Sequence, residues 1–446
     1  MNPLFYERIQ SYIPEEYDQF LDSLQHDMLK GLRRNQKKIE EDLLKQEFPF
    51  LNQKSPFCSD SYYVSRSLGN HPFHFSGCYY LQEPSASSAV TILDVQADDI
   101  VLDLCAAPGG KSTQIGAKLG NHGFLVCNEF DSKRAKTLLS NIERMGLENV
   151  MVTNLHTEKL CTAFASCFDK ILVDAPCSGE GMIKKHEAAH TNWSLENIQF
   201  CQSRQLEILD NAYKALKKDG ILVYSTCTYA KEENEECIAA FLKTHPDMEL
   251  VDVHVDFGRR GLSTQGIDAS KVCRIFPMDH GEGHFVAKLQ KKEGMISFLP
   301  TIKPEKMPDL VANFLNDQLS QMPSYIHIEN NKVYAMEMPF LKTKGLKVIR
   351  QGVLLGEIVK NRFEPAHSFY LCANWIHQYR HTIDLDLEQV DQVLHGYEIE
   401  TASSKGYVAL CYRGIPFGFG KSDGRRVKNK IPKGLRLFPN SHVFVK

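Results

Sequence analysis

No stretch of the sequence is apolar for the roughly 18 residues that a membrane-spanning helix needs. The start, MNPLFYERIQ, has neither the basic n-region nor the apolar core of a secretion signal. Neither export nor a membrane partner is expected, and a cytoplasmic protein is. No C-x-x-C occurs, and the 13 cysteines are odd in number and irregular in spacing. Neither a disulfide framework nor a zinc ribbon is written here, so the thiols are expected to be reduced and no metal site is expected. Strong net charge is absent too, at -3, so a phosphate-binding surface has to come from local segregation of charge. There is no internal repeat and no low-complexity tract.

What is present is a globular composition, 43% hydrophobic and 24% charged over 446 residues, long enough for about three domains. Two segments concentrate positive charge. Lys30, Arg33, Arg34, Lys37 and Lys38 cluster in KGLRRNQKKI. Lys421, Arg425, Arg426, Lys428, Lys430, Lys433 and Arg436 face the single acid Asp423 in KSDGRRVKNKIPKGLR. Each reads either as a solvated basic face or as a set of phosphate contacts.

From residue 100 onward, short β-branched runs alternate with amphipathic stretches, which predicts parallel strands joined by helices. Strands are expected at 100–105, 124–129, 150–154, 170–176 and 221–227, with a closing strand at 283–290. Helices are expected after Gly109 and Gly110, over 131–145, over 195–216 behind the cap Ser194, and through KEENEECIAAFLKTH. The result is an α/β fold with an open, mostly parallel sheet covered on both faces, whose ligands sit at the carboxyl ends of the strands. A helix-rich, charged α/β extension, expected to bind RNA, occupies residues 1–75 and the α/β domain residues 76–292. Beyond Pro300, Pro304 and Pro308, a small α/β linker domain is expected over 293–378 and a strand-rich module over 379–446.

DLCAAPGGKST, residues 103–113, puts two glycines at the turn from the first strand into a helix, where backbone N–H groups are free to meet a ligand. It is not a Walker loop, because Cys105 stands where the first Gly is needed, and it is not G-x-G-x-x-G. Glu129 ends the second strand, where an acid accepts hydrogen bonds from a ribose diol. A glycine turn and an acid without a pyrophosphate loop suit S-adenosylmethionine.

Two cysteines, Cys177 in VDAPCSGEGM and Cys227 in YSTCTY, stand at strand ends. Carbon 5 of cytosine is a poor nucleophile until a thiolate adds to carbon 6, so its methylation needs a reactive Cys and a group that engages N3 and the exocyclic amine. Asp174 is placed for that contact if its side chain faces the pocket. The alternative is a strand-end carboxylate paired with a base such as Lys111.

CAAPGGK, DAPCSGEGM and STCTY, in that order, together with GLRRN and YYLQEPSAS, closely resemble the Sun-type (NOL/NOP/Sun) RNA cytosine-C5 methyltransferases over about residues 30–290. The C-terminal arrangement resembles the RsmF-like branch that acts on bacterial ribosomal RNA. The resemblance implies a Rossmann-like methyltransferase domain over 76–292, with a PUA-like RNA-binding module at the end of the chain. It implies an S-adenosylmethionine site lined by Cys105, Ala106, Ala107, Pro108, Gly109, Gly110 and Lys111, with Glu129 on the ribose and Arg134 and Asp174 nearby. It makes Cys227 the nucleophile and Cys177 the residue that assists product release. It implies ribosomal RNA, 16S in particular, or the small ribosomal subunit as the partner of a monomeric enzyme. One departure stands out: Thr153, Asn154, Leu155 and His156 occupy a stretch where many members carry T-N-x-D, leaving open whether His156 or a backbone group replaces the Asp.

Three other readings compete. A DNA cytosine methyltransferase would also carry Pro-Cys, but its Glu-Asn-Val motif follows that Cys, whereas Glu148, Asn149 and Val150 precede Cys177. A non-catalytic RNA-binding assembly factor predicts a damaged pocket, and transfer RNA is the alternative substrate. The aromatic residues Phe73, Phe75, Tyr79 and Tyr80 are expected to pack rather than to stack on bases.

Overall fold

The computed structural model describes residues 2–184 and 193–443. Near the amino end, β1 (Gly31–Arg34), β2 (Ser61–Tyr63) and β3 (Tyr79–Gln82) form a three-stranded antiparallel sheet in the order β2-β1-β3. This sheet closes past residue 75, so strand pairing ties the aromatic stretch to the amino-terminal extension. Phe73, Tyr79 and Tyr80 are buried there, and Phe75 is partly buried against the same core.

The large sheet follows the expected alternation. β4 (Ile100–Asp103), β5 (Phe124–Asn128), β6 (Val150–Thr153), β7 (Phe168–Asp174) and β8 (Leu216–Thr226) run parallel in the order β6-β5-β4-β7-β8. Helices α1 (Gly110–Lys118), α2 (Ser132–Met145), α3 (Thr157–Ala163), α4 (Leu195–Ala215) and α5 (Glu235–Thr244) cover it. Strands buried on both faces need apolar side chains at consecutive positions. Leu102 accordingly joins the core on one face with Phe124, Val126 and Ile171, and Val101 joins the core on the other with Leu125, Val152 and Leu172.

Three further strands, β9 (Met248–Val251), β10 (Arg259–Arg260) and β11 (Cys273–Ile275), lie toward one edge around β12 (His284–Lys291), which pairs antiparallel with β8. At the opposite edge the linker domain contributes a strand that the sequence did not announce. After the hairpin β13 (Tyr325–Glu329) and β14 (Lys332–Met336), the strand β15 (Val348–Gln351) pairs with β6 and makes the sheet ten-stranded. An edge strand leaves unpaired N–H and C=O groups; here that edge is covered from within the chain. β16 (Val353–Val359) and β17 (Arg362–Pro365) complete a separate four-stranded sheet with the hairpin.

The carboxyl end holds β18 (Thr382–Asp384), β19 (Ile399–Glu400), β20 (Gly406–Tyr412), β21 (Ile415–Ser422) and β22 (Arg426–Asn429) in the order β18-β20-β21-β22-β19, with helix α6 (Leu387–Leu394). This module shares one hydrophobic core with the amino-terminal sheet: Leu32, Phe48, Phe73 and Tyr79 pack in the same cluster as Ile383, Leu410, Phe417 and Val427. The two ends of the sequence therefore meet. Tyr412 donates to Glu47 over 2.8 Å, and Arg413 pairs with the same carboxylate at 3.0 Å.

Candidate active site

The carboxyl ends of β4 to β8 open into a cleft of about 510 Å³. Cys105, Ala107, Glu129, Arg134, Asp174, Cys177 and Cys227 line it, so seven of the residues singled out in the sequence come together there. Ala106, Pro108, Gly109, Gly110 and Lys111 do not line it. They build the turn behind the wall, where Gly109 has φ 110° and α1 begins at Gly110. A side chain at 109 would be strained in that left-handed backbone, and a Cβ at 110 would lie 2.8 Å from Gln82 Oε1.

Glu129 follows β5 and is nearly buried. Its Oε1 accepts from the Asp131 N–H at 2.8 Å, while Oε2 has Arg134 at 3.5 Å, and the residue lines the cleft. Arg134 donates to the Ala107 carbonyl at 2.6 Å, so α2 and the glycine turn are held together. Asn128, which the sequence reading missed, donates to the carbonyls of Leu104 and Leu155 and accepts from Thr153 Oγ1, joining the ends of three strands. A lone strand-end Asn carries no sequence signal; only the register of β4, β5 and β6 gives it those partners.

His156 lines the cleft, caps α3, and meets the exposed ring of Phe130 edge-on at 5.8 Å. Asn154 beside it donates to the carbonyls of Glu129 and Phe130. Helix α4 adds Phe200, Arg204, Glu207 and Ile208 to the wall. Phe200 and Phe130 are 68% and 62% exposed, large apolar rings kept in water at the mouth of a cleft. Such exposure suits faces that stack on planar ligands. The cleft-lining carboxylate of Glu129, the glycine turn and the aromatic mouth together fit an adenosine-bearing cofactor.

The two thiols stand at the far wall. Parallel pairing of β7 with β8 sets Asp174 opposite Ser225, so the loops that follow carry Cys177 and Cys227 side by side, with sulfurs 3.3 Å apart. The Cys177 thiol is pushed well above its ordinary pKa, first by its hydrogen bond with the Cys227 sulfur and then by burial. Asp174 accepts from Lys111 Nζ at 2.8 Å and from Ser225 Oγ at 2.7 Å. The pairing with Lys111, posed in the sequence as the alternative to a pocket role, is thus present in a carboxylate that also lines the cleft. Burial opposes the charge on Lys111, but the Asp174 carboxylate, with Cys227 and Asp103 behind it, raises the lysine above its ordinary value.

Beneath the thiols lie two acids that the sequence reading passed over. Glu233 accepts from the Ser178 N–H at 3.0 Å, from Ser178 Oγ and from Gln205 at 2.7 Å. Burial lifts it to about 7 in spite of those donors. Glu180 accepts from Thr228 Oγ1, the Tyr229 N–H and Trp193 Nε1. Both clamp the Cys177 loop onto the Cys227 loop. Glu233 sits in KEENEE, a run that reads as the polar start of a helix, and only the fold buries it.

Arg33, Arg34 and Lys38 of the basic segment KGLRRNQKKI depart from a phosphate-contact role, while Lys30 is exposed. Arg33 is 2% exposed and donates to Gln82 Oε1, the Gly110 carbonyl and Thr113 Oγ1. Lys38 is buried on the carbonyls of Ser76 and Arg144, and Arg34 pairs with Asp60. Buried cations spend their hydrogen bonds on buried acceptors; here those acceptors belong to the glycine-turn helix and its neighbours.

Comparison with known proteins agrees with this geometry along the chain. Residues 90–290 match the family 16S rRNA methyltransferase RsmB/F. Residues 1–84 match the N-terminal domain of 16S rRNA methyltransferase RsmF, 313–372 its first C-terminal domain, and 380–437 its PUA domain. A Psychromonas ingrahamii protein named ribosomal RNA small subunit methyltransferase F is 31% identical over 99% of this chain and 98% of its own. An Aeromonas salmonicida protein of the same name is 32% identical over 94% and 93%. Among solved structures, a methyltransferase homologue from Pyrococcus horikoshii superposes with a TM-score of 0.58 at 27% identity, covering 65% of this chain and 95% of that one. With matched modules in order from residue 1 to residue 437, this chain belongs to the RsmB/F family of S-adenosylmethionine-dependent RNA methyltransferases.

Proposed function

We propose that this protein methylates carbon 5 of a cytosine in 16S ribosomal RNA, with Cys227 as nucleophile, acting as a cytoplasmic monomer on RNA or on the small ribosomal subunit. The observation that carries the assignment is the pair of sulfurs 3.3 Å apart at the ends of adjacent parallel strands, beside Asp174. Glu129, Arg134, Cys105 and Ala107 hold the cofactor side of the cleft, with Gly109 and Gly110 shaping the turn. S-adenosylmethionine, when bound, supplies the methyl group as a sulfonium electrophile.

Cys227 Sγ adds to carbon 6 of the cytosine and so raises electron density at carbon 5. Asp174, held in orientation by Lys111 and Ser225, keeps a lone pair for the exocyclic amine. Cys177, which retains its proton against the Cys227 sulfur, sits where a departing sulfur needs a neighbour. Release is an elimination: the carbon 5 proton passes to water, the electron pair of that bond re-forms the carbon 5–carbon 6 double bond, and the Cys227 sulfur leaves carbon 6 as the thiolate. The target base has to be unstacked to reach these groups, which costs a few kcal/mol and is least in single-stranded or loop RNA. The exposed residues of the C-terminal basic segment, in the PUA-like module of residues 379–446, supply phosphate contacts.

Replacement of Cys227 by Ala is expected to abolish methyl transfer, whereas Cys177→Ala is expected to accumulate a protein–RNA adduct that survives denaturing gels. Normal activity in Cys227→Ala together with no adduct in Cys177→Ala would reverse the two roles. Bisulfite sequencing of ribosomal RNA from cells with and without the gene identifies the cytosine, and a site in transfer RNA instead would overturn the substrate.

A further inference from the structure

One cluster of ligand-type side chains stands apart from the reaction. Asp391 is in α6 and His395 follows it, four residues on, at the helix end; His442 returns onto them from the carboxyl-terminal tail. Asp391 Oδ2 is 3.3 Å from His395 Nδ1 and 3.6 Å from His442 Nδ1, and the three ligand atoms all lie within 4.8 Å of one another. Metal–ligand bonds of about 2.0–2.1 Å at tetrahedral angles set neighbouring donors roughly 3.3 Å apart. The cluster already has that spacing at two of its edges.

Two further features favour a metal over an ordinary ion pair. Asp391 Oδ1 accepts the Val443 N–H at 2.8 Å, a bond from the tail itself that orients the carboxylate with Oδ2 toward both imidazoles. Among the described residues, no Lys or Arg pairs with Asp391; its two ion-pair partners are both imidazoles, which are the commonest metal ligands when neutral. In the sequence the three residues look like nothing, because a helical D-x-x-x-H and a His 47 positions later are brought together only by the return of the tail.

We propose that Asp391, His395 and His442 form a zinc site with a water in the fourth position, and that the ion clasps the carboxyl-terminal tail to α6. His395 Nδ1 lies 2.8 Å from the Asp391 carbonyl; coordination breaks that hydrogen bond, sends the proton to solvent and leaves the ring protonated at Nε2. The clasp acts on a larger feature. Residues 430–438 of the same tail form one wall of a cleft of about 640 Å³, whose other walls carry Phe75 of the amino-terminal extension, Arg144 of α2 and Phe417 of β21. Fixing the tail therefore fixes a junction at which the amino-terminal, catalytic and carboxyl-terminal parts meet.

Chelator-treated full-length protein titrated with zinc chloride in a calorimeter tests this. The expected result is a stoichiometric site that His442→Ala weakens by more than the roughly 10–100-fold that loss of an outer hydrogen-bond partner costs, with Asp391→Asn doing the same. Zinc is expected to raise the thermal midpoint of the wild type and not of His442→Ala, a surface change that leaves the fold intact. Zinc held by the Cys177–Cys227 pair would persist in both variants, and cobalt bound there would show thiolate charge-transfer absorption that an imidazole and carboxylate set lacks. Zinc binding that is unchanged in His442→Ala, purely thiolate cobalt spectra, or no binding of zinc beyond that of magnesium overturns the proposal.

Discussion

The two basic segments, alike in the sequence, have opposite fates in the fold. In KGLRRNQKKI, Arg33 and Lys38 are buried and donate to backbone carbonyls and neutral side chains. In KSDGRRVKNKIPKGLR, Lys421, Arg425, Arg426, Lys428, Lys430 and Lys433 stay in water on and beside the hairpin of β21 and β22. The difference teaches that positive charge near an RNA enzyme's catalytic domain is of two kinds. One kind holds the glycine turn against the amino-terminal sheet and is insensitive to salt. The other is free to meet phosphate, and its contribution falls as salt rises.

Breaking the comparison at its buried side is expected to have the largest effect. Arg33→Ala removes three hydrogen bonds, to Gln82 Oε1, the Gly110 carbonyl and Thr113 Oγ1, and should lower stability by about 2–4 kcal/mol while weakening S-adenosylmethionine binding. Denaturant unfolding and cofactor calorimetry read the two effects, and an unchanged midpoint would place Arg33 with the solvated cations.

Lys38 sharpens the point through pH. Burial lowers its pKa to about 7, below the value it has in the unfolded chain. Between those two values the unfolded state binds more protons, so this group makes stability rise as pH goes from about 7 up to the unfolded value, and that gain is lost as pH falls back across the same interval toward about 7. The difference in unfolding free energy between wild type and Lys38→Met should therefore change over that window and flatten below it.

At the exposed side, the triple replacement of Arg425, Arg426 and Lys428 by Ala should leave stability within about 0.5 kcal/mol. RNA binding should weaken, and the slope of log affinity against log salt should become shallower by about 0.7 for each phosphate that is no longer neutralised. A filter-binding series over salt measures it. The smallest effect is expected at Glu400→Gln. Its ion pair with Arg426 spans 3.3 Å between side chains that are both mostly in water, where such pairs contribute about 0–1 kcal/mol.

The candidate active site illustrates how far residue types alone reach. Strand ends were legible because β-branched runs alternate with amphipathic stretches, and Cys177, Cys227 and Asp174 fall at those ends. The carboxylates beneath them were not. Glu180 and Glu233 are the kind of residue that composition assigns to solvent, and their burial follows from two loops that close over each other at the carboxyl edge of β7 and β8. The strand β15 was missed for a related reason: four residues after a proline-marked linker carry little periodicity, and what makes them a strand is the unpaired edge of β6.

By itself the sequence determined the period of the elements, the order of the motifs and the chemistry available at each strand end, because those depend on neighbours a few residues away. Only the tertiary structure decided which of two similar basic runs faces water, which acids are buried, and that the first and last hundred residues share a core. Those outcomes depend on contacts between residues far apart in the chain, where the desolvation of a charge is set by what covers it and not by what adjoins it in the sequence.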